Sequence, residues 1–253
     1  MIAHKTNKFT QLLIEIFARV WALWGLITFV GTFLIIFIPS MCSYLIKGKK
    51  GQVFFIAVSK VWMEIWLFLI GCTLKVVGKE NFKTGETYIV TANHNTFLDV
   101  PISCPFIPGA NKTIAKDSFA KVPLFGMFYK RGGVMVNRKS DKSRRESFYE
   151  MREVLANKIH MSIFPEGTRN KTKEPLKAFY DGAFKLAQET NTAIIPTLMF
   201  NTGKAMPVTK AFYLLPTKIE IHFLEPVDAI GINAKELKQK VFDIMLNYYV
   251  ANK

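Results

Sequence analysis

The chain has 253 residues, half of them apolar and 21% charged, with 22 Phe. That is enough to bury a full core without a disulfide or metal staple, and it excludes a disordered or collagen-like chain. Lys and Arg outnumber Asp and Glu by 34 to 19, a net charge of +15, which suits anionic partners: nucleic acid, anionic lipid or phosphorylated substrates. Cys42, Cys72 and Cys104 form neither a disulfide framework nor a zinc set and suit a reducing compartment.

From Val20 to Ile46 no residue is charged, and Trp21, Trp24, Phe29, Phe33 and Ile35 to Ile38 fill the run. As a helix it would be ~40 Å long, enough to cross a hydrocarbon core, and it is too long for a signal peptide. A second apolar stretch, Val53 to Leu74, carries Lys60 and Glu64 one helical turn apart, where they can pair. Its uncharged remainder is too short to span, so it reads as a helix lying in the interface or folding back on the first. Lys47, Lys49 and Lys50 make a basic turn between them, suited to anionic head groups.

After Val77 the composition is that of a soluble domain. Residues 1–76 therefore read as an N-terminal two-helix membrane-association segment and residues 77–253 as one α/β domain. Strands are expected at Thr87 to Thr91, Val134 to Val136, Ile159 to Phe164, Ala193 to Phe200 and Lys218 to Leu224. Ser143 with Glu146 reads as a capping box opening a helix with Phe148, Met151 and Leu155 on one face. Asn233 caps a last helix with Leu237, Val241, Ile244 and Tyr248 on its apolar stripe. Alternating strands and helices imply a single mixed, mostly parallel-core sheet flanked by helices.

The chemistry-bearing residues follow strands. Directly after the first expected strand comes Asn93-His94-Asn95-Thr96-Phe97-Leu98-Asp99. A carboxylate five residues beyond a strand-end histidine can fix its tautomer and leave the other ring nitrogen as a general base. Alone, such a pair is equally a helix-capping histidine. Phe164-Pro165-Glu166-Gly167-Thr168-Arg169 also follows an apolar strand and crowds an acid, a flexible backbone position and a guanidinium fork together. Arg binds phosphate bidentately and Gly lets a backbone N–H approach an anion, although a surface turn with an incidental ion pair has the same look.

In combination these segments resemble the lysophosphatidic acid acyltransferases of the glycerolipid acyltransferase family, over about Val77 to Pro226. The first motif, His-x4-Asp, matches at His94 and Asp99. The second matches at Gly133-Val134-Met135-Val136-Asn137-Arg138, the third at Phe164 to Arg169, and the fourth at Ile194-Ile195-Pro196-Thr197. The apolar helix pair is similar to the one this family uses to sit in the bilayer face.

The resemblance implies acyl transfer from a thioester, either acyl-CoA or acyl carrier protein, to the free hydroxyl of a lysolipid, most directly 1-acyl-sn-glycerol-3-phosphate. It makes His94 the base and Asp99 its orienter. It makes Lys116, Arg138, Glu166, Gly167, Thr168 and Arg169 the acceptor-binding set. It places the protein on an anionic membrane surface, at the cytoplasmic face of the inner or plasma membrane. No Gly-x-Ser-x-Gly elbow occurs, so no acyl-enzyme is invoked.

Three positions depart from the family pattern. Asn137 stands where an Asp is usual, Asp117 where a second base is common, and Tyr180-Asp181 where two basic residues often precede Gly182. Their charge direction opens an alternative acceptor, a lyso-aminolipid with an amino-acid head. Ten Lys or Arg and two Asp between Asn111 and Arg145 give net +8, suited to an anionic membrane or an acidic carrier protein.

No motif for a metal, a phosphate loop or a dinucleotide occurs, so no cofactor is expected. The high charge alone would also allow a basic nucleic-acid binder or a non-catalytic membrane scaffold. Without a nucleic-acid motif and beside so long an apolar run, no nucleic-acid partner is expected. His4, His160 and His222 have no sequence partner and read as structural.

Overall fold

The computed structural model describes residues 7–253, so His4 lies outside the described residues. The helices are α1 (Lys8–Cys42), α2 (Gly48–Leu69), α3 (Asp99–Ser103), α4 (Phe125–Gly132), α5 (Asp141–Ala156), α6 (Gly182–Thr190), α7 (Thr202–Ala205) and α8 (Ala234–Asn252). The strands are β1 (Thr73–Val77), β2 (Ile89–Ala92), β3 (Asn111–Lys116), β4 (Gly133–Val136), β5 (His160–Ile163), β6 (Ile194–Phe200) and β7 (Lys218–Phe223).

The strands form one sheet in the order β1-β7-β6-β2-β5-β3-β4, and every pair is parallel except β6 with β7. Strands covered on both faces favour apolar residues at every position. Each residue of the three central strands β2, β5 and β6 is buried, and most are apolar, with Thr91, His160, Ser162 and Thr197 the polar exceptions. The expected mixed, mostly parallel sheet flanked by helices is the fold observed.

Helices α5, α6 and α8 cover one face with a core that includes Met151, Phe184, Leu186, Leu237 and Val241. The other face is covered by the N-terminal helices. Trp62, Met63, Trp66 and Ile70 pack in one cluster with Ile102, Ile195 and Ile221. The helix pair and the sheet thus share a core, and the expected boundary at 76/77 falls inside β1. The apolar stretch expected to run to Leu74 ends its helix at Leu69, because Gly71 at φ +67 turns the chain into the sheet.

Small residues let neighbouring segments approach α1 closely: Ala18, Ala22, Gly25 and Thr28 are buried, together with Phe33 and Ser40. All four tryptophans of the chain donate within the pair. Trp21 and Trp24 give their indole N–H to the carbonyls of Ile70 and Leu69, both at 2.9 Å, at the end of α2 where carbonyls lack helical partners. Trp62 donates to Thr32 Oγ1 and Trp66 to the Gly25 carbonyl, again at 2.9 Å. No polar group of these rings is left facing apolar surroundings, where each unpaired one costs ~1–3 kcal/mol.

Both helices are long and apolar enough to cross a membrane. The outer face of α1 exposes Leu23, Ile27, Leu34, Ile35 and Ile38. Packing ties α2 to the domain at both ends: Gln52 Nε2 donates to the Asn111 carbonyl at 2.7 Å near its start, and Ile70 is enclosed at its end. Arg131 of α4 clamps the turn between the helices through Ser43 Oγ (3.0 Å) and Gln52 Oε1 (2.9 Å). Lys60 and Glu64 pair at 3.8 Å as their spacing implies.

The expected capping box at Ser143 is displaced. Helix α5 opens at Asp141 with Ser140 as cap, its Oγ accepting from the Ser143 N–H at 3.2 Å. Ser143 Oγ instead accepts the Asn137 N–H at 3.0 Å. Ser143 has the glutamate of a capping box three residues on, but Ser140 is followed directly by Asp141, an acid at the first helical position beside the orphan amides, and it takes the cap.

Candidate active site

In a parallel sheet every strand delivers the loop after its carboxyl end to the same edge, the usual seat of ligand sites in open α/β folds. Here β2, β5, β3 and β4 are consecutive neighbours. They deliver His94, the Glu166–Arg169 turn, Lys116 and Arg138 to one edge in that spatial order.

His94 Nδ1 lies 2.9 Å from Asp99 Oδ2; the imidazole is 17% exposed and Asp99 fully enclosed. Asp99 is held from behind, because its Oδ2 also accepts the backbone N–H groups of Asn95 and, at 2.7 Å, Thr96. Thr96 Oγ1 in turn accepts the Leu98 N–H at 3.0 Å. The carboxylate therefore closes the turn at the start of α3 and orients the imidazole at once. Phe164 packs on the ring at a centroid distance of 4.5 Å.

The main chain of His94 is fixed as well. Its N–H donates to Glu166 Oε1 at 2.8 Å and its carbonyl accepts the Asn170 N–H at 2.6 Å. Glu166 Oε2 accepts the Lys177 N–H at 3.1 Å. Glu166 is fully enclosed with both carboxylate oxygens on backbone amides, so it faces inward rather than toward an acceptor. Burial pushes its carboxyl above the ordinary range, against the two amide bonds and the nearby His94 and Lys177. One residue before the histidine, buried Asn93 clamps β6 by giving Nδ2 to the Met199 carbonyl (3.1 Å) and accepting the Met199 N–H (2.7 Å).

The rest of the expected set forms an open rim. Gly167 sits at φ +68, and a β-carbon there would stand 2.6 Å from the Tyr180 ring. Conformation and space both demand glycine at this point. Arg138 donates from Nη1 to the Gly167 carbonyl, joining the second and third motifs. Arg169 lies over the Phe97 ring, its Cζ 3.5 Å from the centroid. Exposed Lys116 sits at the end of β3, its N–H on the Tyr129 hydroxyl at 3.2 Å. Exposed Thr168 accepts from Lys177 Nζ at 2.6 Å.

Lys177, Phe97 and Asn93 carry no motif role of their own; Asn93 and Phe97 stand beside and within the first motif, and Lys177 has no sequence signal. Of the departures, Asp181 turns away: its Oδ1 pairs with Lys238 Nζ of α8 at 2.7 Å. Asn137 Oδ1 accepts the Lys139 N–H at 3.1 Å, within its own turn. His222 meets Tyr248 OH and Glu220, each at 2.9 Å. His160 Nδ1 accepts the Tyr88 N–H at 3.0 Å, and burial with Lys49 nearby lowers its pKa to about 4. Both rings lie outside this constellation.

Residues 73–199 match the family model described as Acyltransferase. A 1-acyl-sn-glycerol-3-phosphate acyltransferase of Saccharomyces cerevisiae is 28% identical over 200 residues, which cover 74% of this chain but only 64% of the yeast protein. One from Borreliella burgdorferi is 27% identical over 179 residues, 69% of either chain. One from Chlamydomonas reinhardtii is 31% identical over 148 residues and is covered to 44% of its length. The fold matches the crystal structure of the 1-acyl-sn-glycerophosphate acyltransferase PlsC from Thermotoga maritima with TM-score 0.79 at 22% identity, over 93% of this chain and 96% of that one.

Proposed function

This chain belongs to the Acyltransferase family, and from that premise we propose that it transfers a fatty acyl group from an acyl thioester to the free hydroxyl of a lysolipid, 1-acyl-sn-glycerol-3-phosphate first, giving phosphatidic acid. The observation that carries this reading is His94 held at Nδ1 by buried Asp99 at a half-open sheet edge, with Nε2 left for substrate.

Asp99 fixes the tautomer that leaves Nε2 as proton acceptor. As the acceptor oxygen adds to the thioester carbonyl, its proton moves to Nε2. The tetrahedral intermediate collapses, the C–S bond breaks, and the departing thiolate takes the proton from the imidazolium. Asp99 stabilises that imidazolium, and Glu166 acts as a positioning residue through the His94 backbone. Lys116, Arg138, Gly167, Thr168 and Arg169 bind the acceptor head, with Lys177 beside Thr168. An apolar cavity of about 380 Å³ runs from Phe97 beneath α2 and α4, walled by Phe55, Trp62, Met63, Phe125 and Phe128, and takes the chain being transferred.

The exposed face of α1 lies in one leaflet while α2 serves as a layer of the domain, so the pair holds the site at the interface without spanning. We place it at the cytoplasmic face, where soluble thioesters, acyl-CoA or acyl carrier protein, meet the net +8 segment Asn111–Arg145. Because Asp181 pairs with Lys238 of α8, its charge is directed away from the rim, which supports the glycerophosphate acceptor over a lyso-aminolipid.

The test is acyl transfer in mixed micelles, offering one labelled thioester to lysophosphatidic acid and to a lyso-aminolipid, with His94→Ala as blank. Product from lysophosphatidic acid that vanishes in the blank supports the reading. Preference for the aminolipid reassigns the head group, and turnover retained by His94→Ala contradicts the mechanism.

A further inference from the structure

Transfer to a lysolipid involves two acyl chains, the one that moves and the one the acceptor already carries. One cavity accounts for only the first. A second apolar cavity, about 740 Å³, lies on the other side of Phe97, between α1 and the segment 206–214 that follows α7. Its walls are Ala22 and Gly25 of α1 facing Met206, Val208 and Leu214. The two cavities share Phe29, Phe97 and Pro101 and otherwise have separate linings.

Three features mark this space as a built slot. The 206–214 strap is tied to α1 over its second half: the Leu214 N–H donates to the Ala18 carbonyl at 3.2 Å, Arg19 Nη1 to the Ala211 carbonyl at 2.7 Å, and Lys210 pairs with Glu15. Its floor continues into the exposed face of α1 at Leu23 and Leu26, so a chain can enter sideways from hydrocarbon without crossing water. Its lining includes Arg169, whose guanidinium stacks on Phe97, three residues from His94, and is a cation that can meet an anionic head.

Resting on the acyltransfer reading, we propose that this second cavity binds the resident acyl chain of an anionic single-chain lipid, the acceptor, while its head group lies at Arg169 with the free hydroxyl toward His94. Phe97, 61% exposed, then stands between the two tails as the partition that keeps acceptor and donor chains apart.

The decisive experiment uses a lysophosphatidate with a diazirine in its acyl chain, photolysed on the full-length protein in phosphatidylcholine vesicles and mapped by peptide mass spectrometry. Labels in residues 206–214 and on the inner face of α1 around Ala22 are expected. Labels on the α2 and α4 residues of the first cavity, or none above the label found on a lipid-exposed α1 control peptide, overturn the assignment. In parallel, Val208→Trp, which fills the slot from a half-buried strap position, should raise KM for a palmitoyl acceptor about tenfold more than for a hexanoyl one. If that variant instead shortens the preferred donor chain, the slot holds the transferred chain and the proposal fails. Because labelling needs no turnover, its failure is separate from a failure of acyl transfer itself, which wild-type activity reports.

Discussion

The loop that carries His94 and the rim that carries Arg138 and Lys116 share one sheet edge yet are built in opposite ways. Around His94 every group is fixed: the imidazole by Asp99, the N–H by Glu166, the carbonyl by Asn170, and Asp99 by two further amides. Around the rim Lys116 and Arg138 are exposed and Arg169 half-buried, and their contacts are few, a stacked ring for Arg169 and one carbonyl for Arg138. The difference separates two demands. Proton transfer gains from a base that needs no reorganisation at the moment of reaction. Head-group capture gains from long cationic side chains that close on an anion when it arrives. The base should therefore govern turnover and the rim affinity.

Breaking the fixed side should have the largest effect. Asp99→Asn keeps a partner of the same shape but can present an N–H toward Nδ1, favouring the tautomer with the proton on Nε2. A fall in kcat on the order of 10²–10⁴ is expected, with little change in KM for the lysolipid, read from steady-state rates in micelles. Glu166→Gln is expected to cost less, about tenfold in kcat. One of the two amides of His94 and Lys177 then faces an NH₂ group, and the histidine loses its exact seat while keeping its partner. An unchanged kcat with lowered thermal stability would make Glu166 purely structural.

The smallest effect lies outside the edge and serves as its control. His160 takes up a proton near its ordinary value of 6.5 when unfolded but only at about 4 in the fold. Between those pH values the unfolded chain binds more protons, so stability is whole above 6.5 and declines as the pH falls toward 4, by at most ~3 kcal/mol. His160→Gln should flatten that acid limb in urea unfolding at pH 7 and pH 5 while leaving kcat at pH 7 unaltered.

Much of this arrangement is legible in the sequence because it rests on local signals. The buried central strands β2, β5 and β6 show as short, mostly apolar runs, and the His94–Asp99 pair closes within a single turn. Strands β1 and β3 were not expected. In β3 polar Asn111 and Thr113 take the buried positions, and in β1, at the sheet's edge, Lys75 interrupts a short run, so neither shows a continuous apolar signal. The inward turn of Glu166 was equally hidden. Its partner lies 72 residues away, and a motif fixes which residues stand together but not which way each side chain points. The same holds for Asp181, whose charge meets Lys238 on α8, 57 residues on.

The most direct test of the division between fixed base and adaptable rim is the kinetic split between His94→Ala and Arg138→Ala, measured as acyl-transfer rate against lysophosphatidate concentration at saturating thioester. For His94→Ala kcat should drop by about 10²–10⁴ at near-constant KM. For Arg138→Ala KM should rise about 10- to 100-fold at near-constant kcat, the loss of one charge-assisted contact. A collapse of kcat in Arg138→Ala, or a His94→Ala enzyme that loses only affinity, would contradict it.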